Sequence, residues 1–150
     1  MKLQRQGHIE CFPTTIAMLA GIDKDVLIQK ALAHFGEISW THLWHFSGKG
    51  ERAAKFIVKE AGLSGHGLTD FIRTPPGLSP GASKTGIEVP EGKGLMDIGL
   101  IEGEEIIRQH SVAFEDGMVF DPEKSRPLTA DEFNSLHPGW VLMRVARIEK

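Results

Sequence analysis

The fold prediction rests on one stretch, His110-Ser-Val-Ala-Phe-Glu-Asp-Gly-Met-Val-Phe-Asp121-Pro122, which has the pattern of a β-hairpin. Asp116-Gly117 lies between alternating apolar residues and is the strongest short signal for a two-residue turn, since both turn positions need a positive φ. The predicted register pairs Phe114 with Val119, Ala113 with Phe120, and Val112 with Asp121. His110 lies two residues before Val112, so the alternation of side chains places it on the same face as Asp121. We therefore predict an imidazole beside a carboxylate, as diagonal neighbours about 7–8 Å apart between backbones.

A His–Asp pair of this kind has a known chemical use. The carboxylate accepts a hydrogen bond from one ring nitrogen and leaves the other nitrogen to pair with a nucleophile. The chain has one cysteine, Cys11, and its thiol is the nucleophile that we expect. The alternative is that His110 begins an ordinary strand, that Asp121 begins a turn, and that their proximity is incidental.

The composition is typical of one globular domain. The chain has 150 residues, of which 41% are hydrophobic and 25% charged, so we expect a single domain over residues 1–150 with a real core. The net charge of -3 and the pI near 6.2 give no electrostatic reason to expect a nucleic acid or an anionic membrane as partner.

The sequence also indicates where in the cell we expect the protein and which kinds of site it can form. It shows no apolar stretch of transmembrane length and no signal peptide, so we expect a soluble, cytoplasmic protein. A single cysteine excludes an internal disulfide and a zinc site built on several thiolates. We predict no metal and no other cofactor.

Helices are predicted in the N-terminal half. The first opens at Cys11, has Pro13 in its first turn and ends at Gly21, which puts the thiol at a helix N-terminus. Residues 38–46 are aromatic and ambiguous between a short helix and a loop. The other predicted helices span 24–35, with Asp23 as cap and Gly36 after the end, and 51–61, ended by Gly62.

The C-terminal half reads as strands after a long loop. Residues 63–94 are rich in Gly and Pro, which predicts a loop-dominated segment of the kind that often forms a lid or a binding loop. Strands are predicted over 94–100, 105–114, 118–121 and 140–148, with a short helix over 130–136. Thr129 caps that helix, and Glu132 occupies the capping-box position. Helices first and an antiparallel sheet last indicate an α+β fold.

The chemistry expected of Cys11 depends on its surroundings. A free thiol has a pKa of about 8.5, and a helix N-terminus with an imidazolium neighbour lowers such a value to roughly 3.5–7.5. The thiolate attacks a carbonyl carbon, the imidazolium protonates the leaving group, and water later resolves the thioester. The Cys11 backbone N–H and the side chain of Gln4 or Gln6 are the candidate donors to the oxyanion.

These residues resemble the papain-like cysteine peptidases, and within them the bacteriocin leader peptidases that cut after a double glycine. Family members carry a glutamine, an acidic-Cys-Gly-Pro-Thr/Ala motif that opens a helix, His-Ala/Phe-Val-Val on one strand, and Tyr-Asp-Pro or similar on the next. The matching blocks here are Gln6, Glu10-Cys11-Phe12-Pro13-Thr14, His110-Ser111-Val112-Ala113 and Phe120-Asp121-Pro122. The resemblance spans nearly the whole chain and implies a papain-like α+β fold, with N-terminal helices packed on a C-terminal antiparallel sheet.

The resemblance also implies roles for individual residues. Cys11 would be the nucleophile, His110 the general base and acid, and Asp121 the carboxylate that orients the imidazole. The family's oxyanion glutamine usually lies six residues before the cysteine, a position held here by Arg5. Gln6 is therefore the favoured oxyanion residue, with Gln4 in reserve.

Two features set this chain apart from the family. Phe12 stands where the family has a glycine, and we expect it to narrow the cleft or to fill a subsite. Double-glycine peptidases normally form one part of a membrane transporter, whereas this sequence shows no transmembrane segment and no Walker-type loop. The resemblance therefore implies a stand-alone bacterial or phage member, with a peptide or protein substrate whose identity does not carry over.

Three functional hypotheses follow. The first is a thiol-dependent hydrolase that cleaves a peptide or isopeptide bond. The second uses the same triad for transamidation or deamidation, because the acyl-thioester step is shared. The third is a binding module on the same scaffold without turnover, suggested by Phe12 and by the displaced glutamine.

The remaining histidines and aromatic residues have simpler predicted roles. Trp40, Trp44 and Phe46 are expected in the core rather than in a substrate groove. His8 is expected to flank the cleft. Surface or packing roles are predicted for the remaining five histidines, His34, His42, His45, His66 and His137.

Overall fold

The computed structural model describes residues 1–7, 9–65, 67–69, 86–103 and 105–148. The helices are α1 (Cys11–Ala20), α2 (Lys24–Phe35), α3 (Gly50–Glu60) and α4 (Ala130–Leu136), with a π-helical turn at His42–Phe46. The strands are β1 (Lys93–Glu102), β2 (Glu105–Glu115), β3 (Met118–Phe120), β4 (Leu128–Thr129) and β5 (Trp140–Arg147). Most of the predicted 63–94 loop, and with it the expected lid or binding role, lies outside the described residues.

The strands form one antiparallel sheet in the order β4-β3-β2-β1-β5. The predicted hairpin register is confirmed, because Ala113 pairs with Phe120 and Phe114 pairs with Val119. Asp116 has φ 52° and Gly117 has φ 81°, as the two-residue turn requires. Helices with an antiparallel sheet confirm the α+β prediction.

The sheet has a hydrophobic core on each face, as the alternation of β2 shows. Ala113 belongs to the core shared with α1, α2 and α3, whereas Val112 and Phe114 belong to the second core, which Phe133 of α4 covers. Helix α1 lies directly on β2, where the Thr15 hydroxyl donates to the Ser111 carbonyl at 3.1 Å. The first turn of α1 is thereby held beside the strand that carries His110.

Local end signals account for the predicted helices. Gly21 closes α1 with φ 71°, and the Asp23 carboxylate accepts from two backbone N–H groups at the start of α2. Thr129 and Glu132 form the predicted capping box of α4. Strand β4 has two residues and was not predicted, since no periodicity can be read from so short a segment.

The ambiguous aromatic segment forms a π-helical turn, and this changes one prediction. Trp40 is buried and Trp44 packs against the first core, as predicted. Phe46 is 73% exposed, so its predicted core position is wrong. Leu43 of the same turn is fully buried. Because π-helical hydrogen bonds span five residues, a spacing of three no longer returns to the buried face.

A buried ion pair crosses the middle of the sheet. Asp97 on β1 lies opposite both Ser111 on β2 and Arg144 on β5. Its carboxylate accepts from the Arg144 guanidinium and, at 2.6 Å, from the Ser111 hydroxyl. Arg144 also donates to the carbonyls of Gly67 and Leu68. The pair therefore ties residues 67–68 to the sheet.

Candidate active site

Cys11 is the first residue of α1, and its side chain is partly exposed. It faces a cleft of about 770 Å³ between the N-terminal segment and the first half of β2. The cleft is lined by Gln6 and Cys11 on one side and by His110 on the other. The thiol is thus open to a ligand and lies at the positive end of a helix.

His110 and Asp121 are directly hydrogen-bonded. Nε2 of His110 lies 2.7 Å from Oδ1 of Asp121, and the same oxygen accepts from the Glu123 backbone N–H at 2.9 Å. His110 is 7% exposed and Asp121 is fully buried. The hairpin therefore brings the two side chains together as predicted, in a setting where water does not compete for the bond.

The electrostatics of this pair favour the charged forms. Burial lowers the pKa of His110, but hydrogen bonds and charge interactions with Asp121 and Cys11 outweigh it and raise this pKa to about 10. For Asp121, burial raises the pKa, and the hydrogen bond and charge of His110 reverse this and lower it. Since Nε2 is occupied by Asp121, Nδ1 is the ring nitrogen left for the sulfur of Cys11.

The two candidate glutamines have different surroundings. Gln4 donates to the Ile22 carbonyl at 2.5 Å and accepts from the Lys24 N–H at 2.8 Å, so its amide joins the N-terminal segment to the α1–α2 turn. Gln6 lines the cleft, and its backbone N–H donates to the Pro122 carbonyl at 2.9 Å. That bond places Gln6 beside the Asp121 end of the hairpin. The structure therefore brings Gln6, rather than Gln4, to the cleft.

The loop before Cys11 is held in an unfavourable conformation. Ile9 has φ 57°, which is rare for a β-branched residue and costs roughly 1–2 kcal/mol. The Trp40 indole donates to the Ile9 carbonyl at 3.0 Å, and the Glu10 carboxylate accepts from the Gly7 N–H at 2.7 Å. Lys24 Nζ lies 2.5 Å from the same carboxylate. These contacts hold the strained loop and so fix the entry into α1.

Phe12 does not enter the cleft. Its ring is 2% exposed and stacks on Trp44 with centroids 5.3 Å apart, and Trp44 stacks on Trp40 at the same distance. The expectation that Phe12 narrows the cleft or fills a subsite is therefore wrong. The side chain after the cysteine points into the helical layer, where a large apolar ring is stabilised by burial.

The other histidines are placed in different ways. His34 stacks on Phe56, and His42 contacts Glu37 at 2.8 Å, which agrees with surface or packing roles. His45 lines the cleft. His137 packs against Phe133, and its Nε2 lies 4.0 Å from Oδ2 of Asp121, a position that no local sequence signal indicates. His8 and His66 lie outside the described residues.

One group of side chains has the composition of a metal site. His110, Asp121 and Glu123 each offer a ligand atom, and these atoms lie within 4.8 Å of one another. However, His110 Nε2 and Asp121 Oδ1 lie 2.7 Å apart with the imidazole proton between them. Bonds of about 2.0–2.2 Å to a shared zinc ion would push these two atoms apart. The geometry is that of a hydrogen-bonded dyad.

Comparison with known proteins gives no assignment. No family model matches the chain, and neither a curated protein nor a solved structure matches it. Within the part of the chain that the structure describes, no helix combines the length and hydropathy needed to cross a membrane. The geometry of the site is therefore the source of evidence for the function.

Proposed function

We propose that this chain is a papain-like, thiol-dependent hydrolase that cleaves a peptide or isopeptide bond through Cys11, His110 and Asp121. The observation that carries the proposal is the His110 ring, which bonds Asp121 through Nε2 and interacts with Cys11 at the edge of an open cleft. A buried dyad that stabilises an imidazolium next to a thiol is the arrangement that thiolate catalysis needs.

The reaction follows from the positions of the groups. The Cys11 thiolate attacks the carbonyl carbon, and the Cys11 N–H with the Gln6 amide binds the oxyanion. The imidazolium of His110 gives its proton to the leaving nitrogen as the C–N bond breaks, which leaves a thioester. Water then attacks the thioester, His110 takes its proton, and the acid departs as the thiolate is restored. Asp121 holds the ring in one orientation throughout.

The papain-like character of the fold is part of the proposal. It is supported by the order of Gln6, Cys11, His110 and Asp121 along the chain, and by a cysteine-bearing helix packed on an antiparallel sheet. A peptide or protein substrate and a cytoplasmic location remain predictions.

Alkylation of Cys11 by iodoacetamide tests the activated thiol without knowledge of the substrate. We expect labelling of the wild type to stay fast down to about pH 6 and to slow strongly in His110→Ala. His34→Ala is the matched control, since this exposed histidine contacts Phe35 and Phe56 in the helical layer and should leave labelling unchanged. Labelling of the wild type with the pH dependence of an ordinary thiol, near 8.5, would refute the proposal.

A peptide library, incubated with and without added amines and analysed by mass, tests the type of reaction. Cleaved products support hydrolysis, whereas amine adducts without cleavage indicate transamidation. For a cleaved peptide, Gln6→Ala should lower kcat by about 10²–10³-fold, as expected for an oxyanion donor. Gln4→Ala should instead lower the free energy of unfolding by about 1–3 kcal/mol and leave kcat nearly unchanged. The opposite pattern would move the oxyanion role to Gln4.

A further inference from the structure

One oxygen of the Asp121 carboxylate has no hydrogen-bond partner among the described residues. Oδ1 accepts both bonds, from His110 and from the Glu123 backbone, while Oδ2 is buried and unpaired. A buried carboxylate oxygen without a partner is costly, so a nearby donor or cation is expected. The ring of His137 is the group that faces it, with Nε2 at 4.0 Å.

The hydrogen bond of the His137 ring shows which of its nitrogens carries a hydrogen and which one faces Oδ2. Nδ1 lies 2.9 Å from the Phe133 carbonyl oxygen, which can only accept, so Nδ1 carries a hydrogen. In a neutral ring Nε2 would then turn a lone pair toward the carboxylate, which is repulsive. A second hydrogen, on Nε2, makes the same geometry attractive. The ring has little freedom to turn away, because it packs between Phe133 and Trp140 and its side chain is only 10% exposed.

We propose that His137 is a second histidine of the site, a positioning residue whose Nε2–H faces Oδ2 of Asp121 and keeps this carboxylate ionised and oriented toward His110. This inference rests on the proposed function, because it concerns the same dyad. Asp121 would then lie between two imidazolium groups, one at each oxygen. The remaining charged groups around the cleft of about 480 Å³ beside His137 are Arg108 of β2, and Glu123 and Lys124 after β3.

Two substitutions distinguish a role of His137 as a hydrogen-bond donor from a role in packing alone. His137→Phe keeps a ring against Phe133 and Trp140 but removes the donor, whereas His137→Gln keeps an N–H near the position of Nε2 and removes the ring. The carboxyl midpoint of Asp121, followed by ¹³C NMR, should rise by about 1–3 pH units in His137→Phe. The midpoint should rise by less in His137→Gln. The lowest pH at which Cys11 labelling stays fast should differ among the wild type and the two variants in the same order as the carboxyl midpoint. An unchanged midpoint in His137→Phe, or a larger rise in His137→Gln, would overturn the proposal.

The wild-type protein gives a second measurement that does not depend on the variants folding. Imidazole ¹⁵N shifts of His137 and the carboxyl ¹³C shift of Asp121 should change together across a pH titration, and independent changes would overturn the proposal. These NMR readouts need no substrate and no thiol reactivity. If Cys11 labelling in the wild type is that of an ordinary thiol, the proposed hydrolase fails, while the link between His137 and Asp121 is still decided by the shifts.

Discussion

The titration of His110 should depend on two partners that can be removed one at a time. With both partners present, the pKa of His110 is raised from 6.5 to about 10 although the ring is buried. At about 1.4 kcal/mol per pH unit, Asp121 and Cys11 together supply about 5 kcal/mol in excess of the cost of burial. We expect Asp121→Asn and Cys11→Ala each to lower the midpoint, and the double variant to lower it furthest.

The geometry makes Asp121→Asn a mild change. Asn can keep an oxygen at the position of Oδ1, which accepts from His110 and from the Glu123 N–H, so the main loss is the negative charge. A hydrogen bond to a charged partner contributes about 1.5–3 kcal/mol, and a neutral one about 0.5–1.5 kcal/mol. The difference corresponds to a midpoint lowered by about one pH unit in the single variant.

The measurement is a ¹H–¹⁵N NMR titration of the imidazole resonances between pH 5 and pH 11. His110→Gln identifies the resonance of His110 by its disappearance, and the four proteins form a double-mutant cycle that separates the two contributions. A midpoint that stays near 10 in both single variants would refute the reasoning. So would a double variant whose midpoint is no lower than that of either single variant.

Two further predictions concern stability. The folded-state pKa of His110 is raised, so its contribution is fully present below pH 6.5 and is lost as the pH rises through about 10. The free energy of unfolding, measured in urea, should therefore fall across this window in the wild type and fall less in His110→Gln; parallel curves would contradict it. Arg144→Met should cost about 3–5 kcal/mol because it leaves Asp97 buried without its cation, as urea unfolding would show. Arg126→Met, which removes the exposed pair with Glu132, should leave the free energy of unfolding nearly unchanged, and equal losses would contradict this explanation.

Local signals explain which parts of the fold could be predicted. The Asp116-Gly117 turn, the Asp23 cap and the Gly21 stop each act within a few residues, and the structure has all three. The two residues of β4 and the π-helical turn carry no such signal. The Phe46 prediction failed because it assumed that an aromatic cluster in sequence is a cluster in space, and the π-helical turn separates its members.

The unpredicted parts of the site depend on contacts between distant elements. Asp97 and Arg144 both lie on predicted strands, but their pairing needs the register of β1 with β5, which no short turn sets. His137 reaches Asp121 because α4 is placed against the second core through Phe133. Tertiary placement of this kind leaves no spacing that a single sequence reveals.

The two halves of the candidate site therefore differ in how they are specified. His110 and Asp121 are eleven residues apart on one hairpin, so a local turn is enough to bring them together. Cys11 reaches them through the docking of α1 on β2, where the bond from Thr15 to Ser111 spans 96 residues, and through a loop strained at Ile9. Strain of this kind persists only where the surroundings hold it. Substitutions that loosen the N-terminal loop should thus displace the thiol while the His–Asp pair stays intact, and reactivity should be lost before the fold.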